Sequence, residues 1–278
     1  MQNNKNKPGY LFESTNEAKR LKIKTNKTEL KDDFNKVGLG QLKQNCIIVD
    51  AGAGVGVSSV VMSDMLNELK IGHKIILLDK SRDRLNASKN SLKNSKMGKY
   101  EYKECELDNV PIKSNSVDFI FCRFVFEYLS NPQAVYNELH RILKSGGKMV
   151  IGDLDMNCMN IYPLPKKIEN LLSNIGTVLY KNNLFDINVG RKLYSYFYNS
   201  KMKKIAVHAG SHNVFYGKIS ENDIYNWRAK IDQFIYIQDK YKIDFGSDIK
   251  EYKKELYELM SEPSRFSYTP FIIVEGIK

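Results

Sequence analysis

Residues 46–56 read CIIVDAGAGVG, a short apolar run that leads directly into a glycine-rich turn. After the turn, Val57, Val61, Met65 and Leu69 recur at every fourth position, which predicts a helix with one apolar stripe. Strand, glycine turn and helix in this order are typical of a β-α unit in a parallel sheet. Glycines in such a turn allow tight bends and let a ligand approach main-chain N–H groups. This stretch therefore predicts an α/β fold and a ligand site beside the turn.

Apolar runs alternate with helical patterns from about residue 46 to residue 155. Further buried strands are predicted at 75–78, 117–122 and 149–151. A helix is predicted between the last two, with Asn131 as its N-cap, Pro132 in its first turn and Gly146-Gly147 as its stop. This alternation indicates a parallel sheet that is covered by helices on both faces.

The rest of the chain follows a different pattern, with longer helical segments and fewer strands. Helices are predicted at 13–24, 162–180, 189–202, 221–242 and 248–260, and strands at 204–207 and 271–275. We expect one enlarged domain with three parts: residues 1–45 as a helical cover, 46–155 as the ligand-binding core, and 156–278 as a helical substrate lid with closing strands.

The composition is that of a soluble globular protein, since 42% of the 278 residues are hydrophobic and 27% are charged. The net charge of +11 comes mostly from scattered lysines and forms no arginine cluster, so a nucleic-acid partner is not expected. The four cysteines show no spacing suited to a metal site, and we predict reduced thiols and no metal. The sequence contains no apolar stretch of about 20 residues, so no membrane span is predicted. A cytoplasmic location is expected.

Two carboxylates indicate which ligand the turn holds. Asp79 ends the second predicted strand, where a carboxylate can accept hydrogen bonds from two ribose hydroxyls. Asp50 stands directly before the glycines, a position where a pyrophosphate would be repelled and an ammonium group favoured. The pair therefore favours S-adenosylmethionine over a nicotinamide dinucleotide.

At this point the chain resembles the class I S-adenosylmethionine-dependent methyltransferases, of the type that includes quinone-biosynthesis and natural-product tailoring enzymes. Beyond the glycine turn, the resemblance covers ELDNVPI at 106–112, SVDFIFC at 116–122 and LKSGG at 143–147. It implies a Rossmann-like, doubly wound and mostly parallel sheet of seven strands, with an antiparallel last strand and helical lid insertions. It also implies S-adenosyl-L-methionine as the cofactor and S-adenosyl-L-homocysteine as its product.

The same resemblance implies a cofactor site built from four segments of the chain. Its members are Asp50, Ala51, Gly52 and Gly54, then Asp79 and Lys80, then Glu106 and Leu107, and finally Cys122 and Arg123. The first and last groups would hold the methionine end, and Asp79 would bind the ribose. Lys80 and Leu107 would flank the adenine, and Glu106, where the family usually has Asp, would accept from the adenine amino group.

The sequence identifies no catalytic base. Tyr128 stands after the fourth strand where many small-molecule members of the family carry histidine. Asp153 and Asp155 follow strand five at the edge where ligands bind in open α/β sheets. Tyr162 and His208 complete the candidates for the acceptor pocket. The aromatic-rich carboxyl half fits either the core of the lid or a pocket for a flat or apolar molecule.

Three functions remain open from the sequence. The leading hypothesis is methyl transfer to a small molecule, with the accepting atom and the pathway undetermined. An RNA or protein methyltransferase is the second, although RFVF at 123–126 lacks the motif of nitrogen-modifying nucleic-acid enzymes. The third is a non-methylating cyclase or binding module with the same fold. The oligomeric state is left undetermined.

Overall fold

A computed structural model describes residues 27–93 and 98–278 of the chain. Its helices are α1 (Lys27–Lys36), α2 (Val57–Glu68), α3 (Arg82–Leu92), α4 (Pro132–Ile142), α5 (Lys166–Lys181), α6 (Leu193–Asn199), α7 (Glu221–Tyr241) and α8 (Lys253–Leu259). Its strands are β1 (Cys46–Ala51), β2 (His73–Asp79), β3 (Gly98–Glu104), β4 (Val117–Arg123), β5 (Leu143–Leu154), β6 (Ile161–Tyr162), β7 (Lys203–Tyr216) and β8 (Phe266–Ile277). Short 3-10 helices lie at Leu39–Gln41, Phe126–Tyr128, Gly190–Lys192 and Ile249–Tyr252.

The described strands form one sheet in the order β3-β2-β1-β4-β5-β8. The first five are parallel, and β8 runs antiparallel to β5. Both β6 and β7 pair with the antiparallel β8. Strand order reverses between β1 and β4, which is where ligands bind in sheets of this type. The predicted fold class is confirmed, with eight strands in the described residues instead of seven because the two-residue β6 joins the sheet.

Apolar side chains cover both faces of the sheet. On one face, Leu30 and Phe34 of α1 pack with α2 and α3 against β1 and β2. On the other, α4 and α6 contribute Tyr136, Leu139 and Phe197. The predicted apolar stripe of α2 is buried at Val61 and Met65, but its last member, Leu69, lies just beyond the end of the helix and is 54% exposed. The core therefore consists of two layers of helices with the sheet between them.

The long carboxyl-terminal helices form a separate apolar cluster beyond the sheet. It joins α5, α7 and α8, with Trp227 and Phe234 buried in it. These helices agree with the predicted segments, except that α5 begins at Lys166 rather than at residue 162, and α8 begins at Lys253 rather than at residue 248 because a 3-10 helix precedes it. We call α5, α7 and α8 the lid helices. None of the described helices is both long and apolar enough to cross a membrane.

The amino-terminal part agrees only partly with the prediction. Helix α1 and the turn after it cover the sheet, whereas the helix predicted at 13–24 lies outside the described residues. The prediction that Gly146-Gly147 ends the Asn131-capped helix is wrong, because α4 ends at Ile142 and β5 begins at Leu143. Gly146 adopts a φ of +78° within the first residues of β5.

The cap of α4 gives a stability prediction. The Asn131 side-chain oxygen accepts a hydrogen bond from the N–H of Ala134 at 3.1 Å. Asn131→Ala removes this bond, and we expect the free energy of unfolding to fall by about 1 kcal/mol. Urea denaturation measures the loss, and Asn131→Asp, which can still accept the bond, should restore most of it. Equal stability of the alanine variant and the wild type would contradict the prediction.

Candidate active site

A cavity of about 460 Å³ opens at the carboxyl ends of β1, β2 and β4. Its volume lies in the range typical of small-molecule sites. The lining residues come from the glycine turn, the end of β2, the loop after β3 and the loop after β4. They include Gly52, Gly54, Asp79, Lys80, Glu106, Leu107, Arg123 and Tyr128 of the predicted site, with Ser58, Arg84, Cys105, Asp108, Phe124, Val125, Ser130 and Asn131 in addition. We call it the cofactor cavity.

The glycine turn is hydrogen-bonded to the neighbouring strand β2, and at its first glycine there is no room for a side chain. The N–H groups of Gly52 and Ala53 both donate to the carbonyl oxygen of Leu78, at 2.8 and 2.9 Å. Gly52 has a φ of +72°, and a Cβ there would lie 2.4 Å from Cγ2 of Val125. At Gly54, also with positive φ, a Cβ would meet nothing within 4 Å. The turn therefore needs glycine at both positions for its backbone, and Gly54 leaves the backbone open to a ligand.

Asp79 lies at the floor of the cavity with both carboxylate oxygens held. The N–H of Gly54 donates to Oδ2 at 2.8 Å and the N–H of Ser81 donates to Oδ1 at 2.9 Å. These bonds fix the carboxylate against the glycine turn. Each oxygen keeps further lone-pair capacity, so the group can accept from two hydroxyls of a ribose. This is the placement that the sequence predicts for a ribose ligand.

Asp50 lies beneath the turn and does not line the cavity. Its side chain is 3% exposed, and Oδ2 accepts a hydrogen bond from the Ser59 hydroxyl at 2.6 Å. Burial raises the pKa of the Asp50 carboxyl to about 7, although the bond from Ser59 opposes the rise. Ala51 and Cys122 are register partners on β1 and β4 and are likewise buried away from the cavity. Burial raises the pKa of the Cys122 thiol well above its usual value, as for an unreactive core cysteine.

Arg123 supplies a cation at the end of β4. Its guanidinium lies 4.1 Å from the ring centre of Phe124 and 4.9 Å from that of Phe271. Burial lowers the pKa of Arg123 to about 10, while Asp33 and Glu29 of α1 favour its charged form. Its buried Nε makes no hydrogen bond. Because a buried donor gains from a partner, this group can bind a carboxylate in the cavity.

A second, smaller cavity of about 30 Å³ lies between the loop after β4 and the lid helices. Its lining residues are Glu127, Tyr128, Asn157, Cys158, Leu172, Ile175, Gly176, Leu179, Phe185, Ile187, Lys230 and Phe234. We call it the lid chamber. Tyr128 lines both cavities, so the two are neighbours at this residue.

The other acceptor candidates line neither cavity. Asp153 is fully buried and accepts from the N–H groups of Val125 and Glu127, so it shapes the loop after β4. Burial and the charge of Glu127 raise the pKa of Asp153 well above its usual value. Asp155 forms an ion pair with Arg191 at 2.8 Å.

Tyr162 and His208 lie on the strands beside β8. Tyr162 is 76% exposed on β6. His208 lies 3.1 Å from Glu275 on the β7–β8 ladder. Neither residue contributes to the lining of the two cavities.

Sequence reasoning missed the polar residues of the lid chamber. Lys230 falls three positions after Trp227 and four before Phe234, on the buried stripe of α7. A lysine on an otherwise apolar stripe is a signal that could have been read. Glu127 is a lone acid within the run FVFEYL at 124–129, directly after a buried strand. Asn157 and Cys158 follow β5 and carry no such signal.

Comparison with known families covers most of this architecture. Residues 42–232 match the family model described as a methyltransferase domain. The chain belongs to this methyltransferase family. The match confirms the predicted enzyme class, together with S-adenosylmethionine as the cofactor that this class uses.

Individual relatives of the methyltransferase are distant. A malonyl-[acyl-carrier protein] O-methyltransferase from Marinomonas sp. is 27% identical over 151 residues, which cover 51% of this chain and 53% of that protein. The chain thus matches about half the length of this curated relative.

Solved structures share the fold at low identity. A candidate methyltransferase from Bacillus halodurans C-125 has a TM-score of 0.57 at 15% identity, covering 89% of this chain and 99% of that one. Phosphoethanolamine N-methyltransferase 2 of Haemonchus contortus, in complex with S-adenosylhomocysteine, has a TM-score of 0.53 at 13% identity, covering 90% and 52%. At these identities the likeness supports the fold alone.

Proposed function

We propose that this protein is an S-adenosylmethionine-dependent methyltransferase that acts on a small molecule. The observation that carries the proposal is the cofactor cavity, in which a glycine turn and the Asp79 carboxylate meet at the reversal of strand order. This arrangement fits a ligand that contains a nucleoside. Its ribose hydroxyls would donate to the Asp79 carboxylate, and the rest of the ligand would lie along the backbone of the glycine turn.

The residues present fit the methionine end of the cofactor as well. The orphaned Nε of Arg123 suits the carboxylate. Asp50 lies covered beneath the turn, so it would act on the ammonium group through its charge and not through direct contact. Glu106, Leu107 and Lys80 also line the cavity, and they are the residues that the resemblance assigns to the adenine. When bound, the cofactor supplies a methyl group on a sulfonium, which is already activated for transfer. The protein's part is then to orient the acceptor and to manage its proton.

The lid helices favour a small molecule over a macromolecule. The lid chamber is enclosed by α5, α7 and the loop after β4, and seven of its lining residues are Leu172, Ile175, Gly176, Leu179, Phe185, Ile187 and Phe234. An RNA or a protein segment would need an open groove, whereas the lid helices pack over the loop after β4 and leave a space of only about 30 Å³ there. Within residues 27–93 and 98–278, no specific contact favours the RNA or protein alternative.

Calorimetric titration with S-adenosylmethionine, S-adenosylhomocysteine and NAD tests the cofactor assignment. We expect micromolar binding of the first two and none of NAD. Asp79→Ala should weaken S-adenosylhomocysteine binding by about 1 to 3 kcal/mol, or about 5- to 150-fold, because the ribose loses two acceptors. The variant also frees the N–H groups of Gly54 and Ser81.

The control for this experiment is Asp83→Asn, a change in the first turn of α3 outside the cavity lining. It should bind like the wild type. Unchanged affinity in Asp79→Ala would remove the ribose assignment. A wild type that binds neither adenosyl compound would refute the methyltransferase proposal and leave a non-methylating module as the better description.

A further inference from the structure

The lid chamber brings a thiol and an amine together from distant parts of the chain. The Lys230 ammonium of α7 lies 3.1 Å from the sulfur of Cys158, which follows β5, and it also donates to Asn157 Oδ1 at 3.3 Å. Asn157 donates in turn from Nδ2 to Oε2 of Glu127 at 3.3 Å. Cys158 and Lys230 are 72 residues apart, so their contact links the lid helices to the loop after β5.

Backbone conformation and packing hold the two groups in contact. Cys158 has a φ of +67°, a conformation that is disfavoured for a residue with a side chain and that sets the direction of its thiol. Lys230 lies between the buried residues Trp227 and Phe234 on one helix, and both Cys158 and Lys230 are partly buried. The hydrogen bond to Asn157 restrains the lysine further. The amine therefore stays within reach of the sulfur.

The space beside this pair has room for a small reagent and not for an organic substrate. Its volume is about 30 Å³, close to the volume that one water molecule occupies in the liquid. Cys158 and Lys230 both line it. Hydrogen peroxide is little larger than water, so one peroxide molecule can approach the thiol there. A sulfenic acid formed in this space would have the lysine amine as its nearest nucleophile.

We propose that Cys158 and Lys230 form an oxidation-dependent covalent cross-link, in which a sulfur–nitrogen bond fastens α7 to the loop after β5. Hydrogen peroxide is the oxidant. The thiolate sulfur attacks one peroxide oxygen, the O–O bond breaks, and a sulfenic acid and water form. The lysine, after its ammonium proton has passed to solvent, attacks the sulfur as a neutral amine. The S–N bond forms as the S–O bond breaks, and the hydroxyl leaves as water.

The balance of this reaction is one thiol, one neutral amine and one peroxide, which give one sulfenamide and two water molecules. Sulfur is oxidised and both peroxide oxygens are reduced to water. Dithiothreitol reverses the step, because its two thiols reduce the S–N bond, return the thiol and the amine, and become a disulfide. The cross-link is therefore reversible.

Charge distinguishes Cys158 from the other three cysteines of the chain. The thiolate is the form of cysteine that attacks peroxide, and an ammonium group at hydrogen-bond distance stabilises negative charge on the sulfur. Burial raises the pKa of the Cys46 and Cys105 thiols to about 11, and it raises that of Cys122 well above its usual value. We therefore expect Cys158 to react with peroxide before the other thiols.

Peptide mass spectrometry of the oxidised protein tests the cross-link directly. Trypsin places Cys158 in the peptide 149–166, and it places a blocked Lys230 in the peptide 229–240. After treatment with hydrogen peroxide and alkylation of the remaining thiols, we expect these peptides to be joined, with two hydrogen atoms fewer than their summed composition. Methionine oxidation adds oxygen and is told apart by mass. Dithiothreitol should separate the peptides.

Two variants remove one partner each. Cys158→Ser lacks the sulfur, and Lys230→Arg keeps the positive charge but carries a guanidinium that stays protonated and does not attack the sulfenic acid. Neither variant should give the joined peptides. Lys240→Arg, at an exposed position of the same helix, is the matched control and should cross-link like the wild type. Urea denaturation before oxidation shows whether each variant is folded.

Thermal unfolding gives a second readout. A cross-link between residues 72 positions apart restricts the unfolded chain, so we expect the Tm of the oxidised wild type to rise by about 5 °C or more and to fall again with dithiothreitol. Oxidised Cys158→Ser supplies the baseline for oxidation elsewhere and should show no such rise.

The outcomes decide the proposal without cofactor or acceptor, so they are independent of the proposed function. Joined peptides in the wild type and in Lys240→Arg, and in neither of the other variants, support it. Three results would overturn it: a Cys158 thiol that peroxide leaves unreacted, an oxidised Cys158 without a bond to Lys230, or joined peptides that retain an additional oxygen between sulfur and nitrogen.

Discussion

Gly52→Val should abolish binding of S-adenosylhomocysteine, with an affinity loss of more than about 100-fold. Two effects act together at this position. A β-branched residue is strongly disfavoured at a φ of +72°, at a cost of about 1 to 3 kcal/mol. The new Cβ would also lie 2.4 Å from Val125, whose N–H is held by Asp153. Relief of the clash must move either the glycine turn or the loop after β4, and both line the cofactor cavity.

Gly146→Val separates the two effects. Gly146 has a similar φ of +78°, a Cβ there meets nothing within 4 Å, and the residue lies outside the cofactor cavity. This control should lose stability through backbone strain and still bind S-adenosylhomocysteine like the wild type. Isothermal titration and urea denaturation of both variants give the comparison. Affinity within about fivefold of the wild type in Gly52→Val would show that the turn is not the cofactor contact.

The central part of the fold could be predicted because its signals are local. The apolar run of β1, the glycine turn and the stripe of α2 are each set by residues next to one another in sequence, and their order admits few topologies. The N-cap of α4 is similarly local, since the Asn131 side chain accepts its hydrogen bond from Ala134, three residues further along the chain. Burial then follows from the apolar pattern.

Other elements could not be predicted because their stability depends on distant partners. Strand β3 reads GKYEYKE, in which charged residues alternate with tyrosines and no apolar run exists. It forms because β2 offers an unpaired edge, along which all seven residues find partners. Strand β7 extends to Tyr216 for the same reason, since the long β8 continues to offer hydrogen-bond partners beyond residue 207. Tertiary pairing thus outweighs local preference at both edges.

The candidate site likewise has a part that the sequence predicts and a part that depends on distant contacts. The glycines and Asp79 lie at strand ends, and the carboxyl edge of a parallel sheet brings them together. Lys230 and Asn157 are 73 residues apart, and they meet only because α7 folds back over the end of β5. The depth of Asp50 is also a tertiary property. Sequence places it before the turn, but the packing of Ser59 on α2 decides that its carboxyl is covered.

Asp50→Asn should make the protein more stable than the wild type at pH 8 and about equally stable near pH 4. In the folded state burial raises the pKa of Asp50 to about 7, above the value of about 3.9 in an unfolded chain. The favourable contribution of the neutral carboxyl is therefore complete below pH 4 and is lost as the pH rises through 7. Asparagine has no proton to lose and can still accept the bond from Ser59. The difference at pH 8 should be on the order of 2 to 4 kcal/mol.

Urea denaturation of the variant and the wild type at about pH 4.5, 6 and 8 measures this difference. All other titratable groups are the same in the two proteins, so their contributions to the free energy of unfolding cancel. Asp64→Asn, at an exposed position of α2, is the matched control and should follow the wild type at each pH. A difference that stays constant with pH would show that Asp50 is already ionised in the folded protein.

Cofactor titration of the same variant links stability to function. If the Asp50 charge attracts the cofactor's ammonium group, Asp50→Asn gains stability and loses affinity together, the trade expected where a buried charge is retained for binding.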